Sequence, residues 1–159
     1  MKTDILLGHK YKRIGWILLI PTFIISIIVI ISENDGPEMF DAKVPALLVD
    51  EFMGDFRYFA MIENNIFNEI LGVTLIISLL LVAFSKERVE DEYITKIRLD
   101  SLVKAVILNY LILILAFVTV YDLSFYWVML GNMFTTLILF ILIFNINLNK
   151  LKNTAEHEE

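Results

Sequence analysis

Four runs of about 20 apolar residues, none with a charge at its middle, constrain this chain more than any other feature. A helix of that length crosses the roughly 30 Å hydrocarbon core of a bilayer and satisfies every backbone N–H and C=O within the segment. The runs lie at about 14–32, 66–85, 102–121 and 125–145. The first follows a basic leader, but it is too long for the apolar part of a signal peptide and no small-x-small cleavage site follows, so it reads as a retained anchor. Pro21 removes one helical hydrogen bond there and predicts a local bend.

Basic residues near the ends of the spans set orientation. Lys2, Lys10, Lys12 and Arg13 precede the first span, Lys86, Arg88, Lys96 and Arg98 lie between the second and third, and Lys150 and Lys152 follow the fourth. These segments are expected on the cytoplasmic side, with both termini. The connection 33–65 has Lys43 and Arg57 against Glu33, Asp35, Glu38, Asp41, Asp50, Glu51, Asp55 and Glu63, which accounts for the whole formal net charge of −6. It is expected outside, as is the short turn near Asp122. The acidity therefore belongs to one outer loop and does not argue against anionic lipid or any other partner inside.

The connecting segments differ in character. Asn34, Asp35, Gly36, Pro37 and Pro45 predict an irregular start to the outer loop. From 46 to 62, Leu47, Leu48, Phe52, Phe56, Phe59 and Ile62 recur at three- and four-residue spacing and predict an amphipathic helix that caps the bundle or lies on the outer surface. The alternative is a lid or a docking site for an extracytoplasmic partner. The inner segment 86–101 lacks Gly and Pro and interleaves both charge signs. Val89, Tyr93, Ile97 and Ser101 fall at four-residue steps, and Arg88/Glu92, Glu92/Lys96 and Asp100/Lys104 have the spacing of helical ion pairs. This predicts helix across the segment, either as a solvated connector or as a cytoplasmic docking surface formed by Arg88, Val89, Glu92, Tyr93, Lys96, Ile97 and Arg98.

Polar groups within spans are costly, so Glu69, Asn109 and Asn132 are the intramembrane candidates. Glu69 is near the outer end of its span, and the asparagines have the character of interhelical hydrogen-bonding groups. With no cysteine and only His9 and His157, the chain lacks a Cys-based or multi-His metal site. It has no phosphate loop, no hydrolase motif and no basic patch with interleaved aromatics, so no cofactor, metal or direct nucleic-acid contact is expected. The acidic group Glu87, Glu90, Asp91 and Glu92 is interrupted by Arg88 and followed by Lys96, which weakens it as a cation site.

The run FSKERVEDEYITKIRLDSL, followed by VILNY at 106–110 and VMLGNMFT at 128–135 and preceded by YKRIGW at 11–16, resembles a family of small uncharacterised four-span inner-membrane proteins of Bacteroidota-type bacteria. The likeness covers nearly the whole chain and is weakest in the outer loop. It implies a four-helix inner-membrane protein without an established activity. Members are often encoded beside a small helix-turn-helix regulator, so by analogy the resemblance implies a transcription regulator as a partner. One departure is the end of the fourth span, where the family pattern has a basic residue and this chain has Phe144, Asn145 and Ile146.

The expected fold class is thus an all-α integral membrane protein: a single four-transmembrane-helix, up-down bundle with an amphipathic extracytoplasmic helix. The expected function is non-enzymatic, with segment 86–100 docking a cytoplasmic protein at the inner membrane. The alternative is a small transporter or channel subunit in which a homo-oligomer places Glu69, Asn109 and Asn132 along a path. An interfacial enzyme built from Glu87, Arg88, Glu90 and Arg98 is the remaining class.

Overall fold

The apolar runs all fold as helix, because the hydrogen bonds of a helix close within the run itself. In the computed structural model, which describes residues 6–32, 36–49 and 57–157, α1 spans His9–Ser32, α2 Phe67–Ala83, α3 Glu92–Thr119 and α4 Asp122–His157. α1, α3 and the Asp122–Leu151 part of α4 are long and apolar enough to cross a membrane, while α2, at 17 residues, is shorter. Their surfaces suit lipid. Ile17 is 64% exposed and Ile31 76% exposed, which water would penalise at about 25 cal/mol per Å² and hydrocarbon would not. α1 runs through Pro21. Just beyond it, Thr22 Oγ1 donates to the Leu18 carbonyl and Ser26 Oγ to the Thr22 carbonyl, so both hydroxyls are spent on their own helix.

The chain divides into two compact units, one of residues Leu18–Leu75 and one joining Met1–Ile17 to Ile76–Glu159. In the first, the connection between α1 and α2 departs from the expected amphipathic helix. It forms an antiparallel hairpin of β1, Asp41–Val49, and β2, Arg57–Asn65, paired from Asp41↔Asn65 to Val49↔Arg57. Ala42, Val44 and Ala46 alternate in burial with exposed Asp41, Lys43, Pro45 and Leu47. That two-residue period competes with the three- and four-residue spacing used to predict the helix. Leu47, Leu48, Phe59 and Ile62 satisfy both; Phe52 and Phe56, which favoured helix, lie outside the described residues. Phe59 adopts a positive φ of 52°, and the ladder skips it and Leu47 between the Ala46↔Ala60 and Leu48↔Tyr58 pairs.

The hairpin base is well tied. Asn65 Nδ2 donates to the Pro37 carbonyl at 3.0 Å and to Asp41 Oδ1 at 2.8 Å, while its Oδ1 accepts the Phe67 N–H at the start of α2. Gly36 has a φ of 108°, and a Cβ there would sit 2.6 Å from the Phe67 ring. Only glycine fits both the conformation and the space.

In the second unit, the buried positions of α3 are Ile94, Arg98, Ser101, Ala105 and Asn109, a single face at steps of three and four. Its small residues let α4 approach closely. α3 and α4 are joined through Val120 and Tyr121 to Asp122, whose φ of 58° is left-handed, a conformation that Asp tolerates better than most residues. The two helices run antiparallel, and Asn147 Nδ2 on α4 donates to Ser101 Oγ on α3 at 3.0 Å. Leu79, Val82 and Ala83 of α2, with Phe140, Ile141, Phe144 and Leu148 of α4, complete the core. α1 closes on α2 at Gly15, where a Cβ would lie 2.8 Å from Val82 Cγ2 and 3.0 Å from the Val82 backbone nitrogen.

The expected helix over 86–101 is realised only in part. α3 begins at Glu92, with Asp91 as its N-cap: the Asp91 carboxylate accepts the Ile94 N–H at 2.7 Å and its carbonyl receives the Thr95 hydroxyl. Such a cap satisfies an orphan amide and makes Asp91 a natural boundary. Residues 84–91 are a non-helical link, so the expected Arg88/Glu92 helical pair does not form on one helix.

Candidate functional site

The link between α2 and α3 is built around one arginine. α2 ends with unpaired carbonyls, as every helix does, and the Arg98 guanidinium, reaching back from the second turn of α3, supplies donors for them. Its Nη1 donates to the Ala83 carbonyl at 3.2 Å and the Ser85 carbonyl at 3.3 Å. A cation at the C-terminal end of a helix also meets the favourable end of its dipole. Nη2 donates to both carboxylate oxygens of Glu90, at 3.1 and 3.0 Å. The guanidinium carbon lies 4.6 Å from the centre of the Phe144 ring, within cation–π range. Arg98 is 7% exposed, and its Nε has no partner among the described residues.

A second ion pair extends this network. Lys12 of α1 pairs with Glu87, and the Glu87 backbone N–H donates to Glu90 Oε2 at 2.8 Å. Lys12 Nζ lies 5.9 Å from the centre of the Phe144 ring, so one aromatic side chain faces both cations. Two basic and two acidic groups thus balance in a nearly dry cluster, which is the condition under which buried charges are tolerated.

The chain before α1 is stitched to the same link. The Leu7 N–H donates to the Phe84 carbonyl at 2.9 Å, the Lys86 N–H donates to the Leu7 carbonyl at 2.8 Å, and His9 Nδ1 lies 3.1 Å from the Lys86 carbonyl. Ser85 Oγ donates to the Leu81 carbonyl. The start of α1, the link 84–91 and the adjoining ends of α3 and α4 are therefore held as one framework.

The seven candidate docking residues fall on both sides of this framework. Arg98 is interior and supports the link rather than presenting itself. Arg88, Val89, Glu92, Tyr93 and Lys96 are exposed, and Ile97 is half-buried. Val89 is 70% exposed and Tyr93 57% exposed. Glu87, Glu90, Lys12 and Phe144 are the structural partners that spacing along the chain did not reveal. Along the chain Phe144 is one apolar residue among many in α4, and only the fold brings its ring to Arg98.

The other candidates are dispersed. Of the acidic group, Glu87 and Glu90 are held by Lys12 and Arg98, while Asp91 is spent as a cap. Glu87, Glu90 and Arg98 face inward and Arg88 faces out, so the four residues of an interfacial enzyme do not converge. Glu69 is exposed at the start of α2, where it accepts a hydrogen bond from Asn64 Nδ2 at 2.7 Å. Asn109 is 3% exposed, with its Oδ1 unpartnered among the described residues, and Asn132 is half-buried on α4. The chain matches no protein-family model, no curated protein and no solved structure.

Proposed function

We infer that this is a non-enzymatic, four-span protein of the inner membrane whose segment 86–100 docks a cytoplasmic protein. The topology rests on the pairing of Leu7 with the link that follows α2. If α1 crosses the bilayer, the chain must return through α2 for Phe84 to reach the residues before α1. The 17 residues of α2 extend about 25 Å at 1.5 Å each, at the short end of the range for a span. The Ser101–Asn147 hydrogen bond gives α3 and α4 the same relation. All three basic segments then share one side, which the positive-inside rule assigns to the cytoplasm.

The observation that carries the docking reading is the contrast within the link and the start of α3: Glu87, Glu90 and Arg98 are turned inward as anchors, while Val89 and Tyr93 are held out, 70% and 57% exposed. Apolar side chains on a rigid, charged scaffold lose little entropy when they bind and gain specificity from the flanking Arg88, Glu92 and Lys96. A DNA-binding regulator is the partner that the family resemblance suggests. The test is affinity purification of the tagged protein from native membranes in mild detergent, beside Val89→Ser/Tyr93→Ser/Ile97→Ser. A stoichiometric cytoplasmic protein lost with the variant supports docking. Recovery of the chain alone, or as a homo-oligomer unaffected by the substitutions, removes it.

A further inference from the structure

α3 carries a hydroxyl at a depth where lipid offers it nothing. Tyr110 lies eight residues beyond Leu102, where the apolar run begins, and nine before Thr119, the last residue of the helix. About 12 Å of helix separates it from one interface and about 13.5 Å from the other. A phenol cannot bridge either distance. Tyr110 is 60% exposed, and its hydroxyl has no hydrogen-bond partner among the described residues. Every other tyrosine sits in the first five residues of a helix, in the α3–α4 turn or in the hairpin, within reach of headgroups or water. Hydrocarbon cannot hydrogen-bond, so a lipid-facing hydroxyl at mid-span is costly unless another helix brings a partner to it.

The residues around Tyr110 show how such a helix fits. Val103, Ile107, Tyr110, Ile114 and Phe117 follow at steps of four, three, four and three, and each is more than half exposed. They form one strip on the side of α3 away from the buried Ser101, Ala105 and Asn109. That spacing is the seam of a left-handed helix pair, in which side chains of one helix fill the gaps of the other. Val103, Ile107 and Ile114 are β-branched and stiff, so they lose little freedom on packing. The apolar members of the strip suit lipid equally well; the hydroxyl at its centre does not.

We propose that two copies of this chain pair through this strip, α3 against α3, with the Tyr110 hydroxyls hydrogen-bonded across the two-fold axis. Identical basic segments insert both copies the same way, so the two helices run parallel and their Tyr110 residues arrive at the same depth. A hydroxyl both donates and accepts, so a second Tyr110 meets the need of the first, and a two-fold interface is self-complementary. Pairing rests on the membrane-spanning reading of α3 and is independent of docking at 86–100.

The chain has no cysteine, so single introduced thiols report contacts without background. Ile107→Cys and Ile114→Cys, oxidised with copper phenanthroline in native membranes, should give a disulfide-linked species of twice the chain's mass. Leu111→Cys and Leu115→Cys, also more than half exposed but off the strip, should stay monomeric. Tyr110→Phe keeps the ring and removes the hydroxyl. It should weaken self-association by roughly three- to tenfold, the range of one interhelical hydrogen bond in a membrane, read by energy transfer between labelled copies on dilution in lipid vesicles. Equal cross-linking on and off the strip would mean chance collision and overturns the proposal, as does unchanged association of Tyr110→Phe. A cross-linked product of another mass assigns the strip to a different protein and overturns it too. Failure of the span is read separately. Labelling of Ile107→Cys by a water-soluble maleimide in sealed membranes removes the membrane reading of α3 and the pairing with it, whereas a shielded thiol that does not cross-link overturns the pairing alone.

Discussion

Replacing Arg98 by methionine keeps most of the side-chain volume but withdraws the charge on which the link between α2 and α3 depends. Four hydrogen-bond contacts are lost, two to the Ala83 and Ser85 carbonyls and two to Glu90, together with the contact on Phe144. Glu90, with its side chain 17% exposed, is left with the Glu87 N–H as its remaining partner at this site. Breaking a buried ion pair from one side costs about 3–5 kcal/mol, or two to three and a half powers of ten in the folding equilibrium at about 1.4 kcal/mol per decade. Arg98→Met/Glu90→Leu, which removes both charges, should regain most of that loss, because an apolar pair of similar volume is close to neutral. The assay is reversible unfolding by SDS titration in mixed micelles, followed by the fluorescence of Trp16 and Trp127. The expected coupling between the two substitutions is at least about 2 kcal/mol. A single-variant loss below about 1 kcal/mol, or strict additivity, would refute the reasoning that the pair is dry and mutually dependent.

Three further outcomes follow from the same packing. Gly15→Ala places a methyl 2.8 Å from Val82 Cγ2 and should cost about 1–3 kcal/mol through overpacking; Gly8→Ala, whose nearest neighbour is 3.9 Å away, is the control, and thermal melts in detergent compare them. Lys43→Gln breaks the Lys43–Glu63 pair of the hairpin, whose side chains are 72% and 78% exposed, and should change stability by less than about 1 kcal/mol; a larger loss in the same SDS titration would mean that the pair is shielded. Asn109→Leu replaces a buried amide with an unpartnered oxygen and should leave the fold unharmed or stabilise it by about 1 kcal/mol; marked destabilisation would show that Oδ1 has a partner in the membrane.

How far the fold could be read in advance depended on the range of the interactions that make each element. Helix needs only neighbours along the chain, so the length of an apolar run located α1 to α4 within a few residues at the ends next to the hairpin and the α3–α4 turn. The opposite ends were harder, because Lys10, Lys12 and Arg13 extend α1 before its apolar stretch and residues 146–157 continue α4 beyond it. The hairpin was misread for a definite reason: Leu47, Leu48, Phe59 and Ile62 fit either period, and the choice belongs to the pairing of Ala46 with Ala60 and of Leu48 with Tyr58 across the loop.

The candidate site shows the same division. Charge signs and apolar anchors in 86–101 are sequence properties, and so is the gathering of basic residues around the ends of the spans. Their roles are not. Arg88 and Arg98 look alike along the chain, yet Arg98 faces the end of α2, Glu90 and Phe144, while Arg88 faces outward. By itself, the sequence determined which segments form apolar helices and where the charges between them fall, because lipid demands that each span satisfy its own backbone. Tertiary structure decided which charges become anchors and which remain on the surface, because burial of an ion depends on partners brought from distant helices, here Lys12 to Glu87 and Phe144 to Arg98.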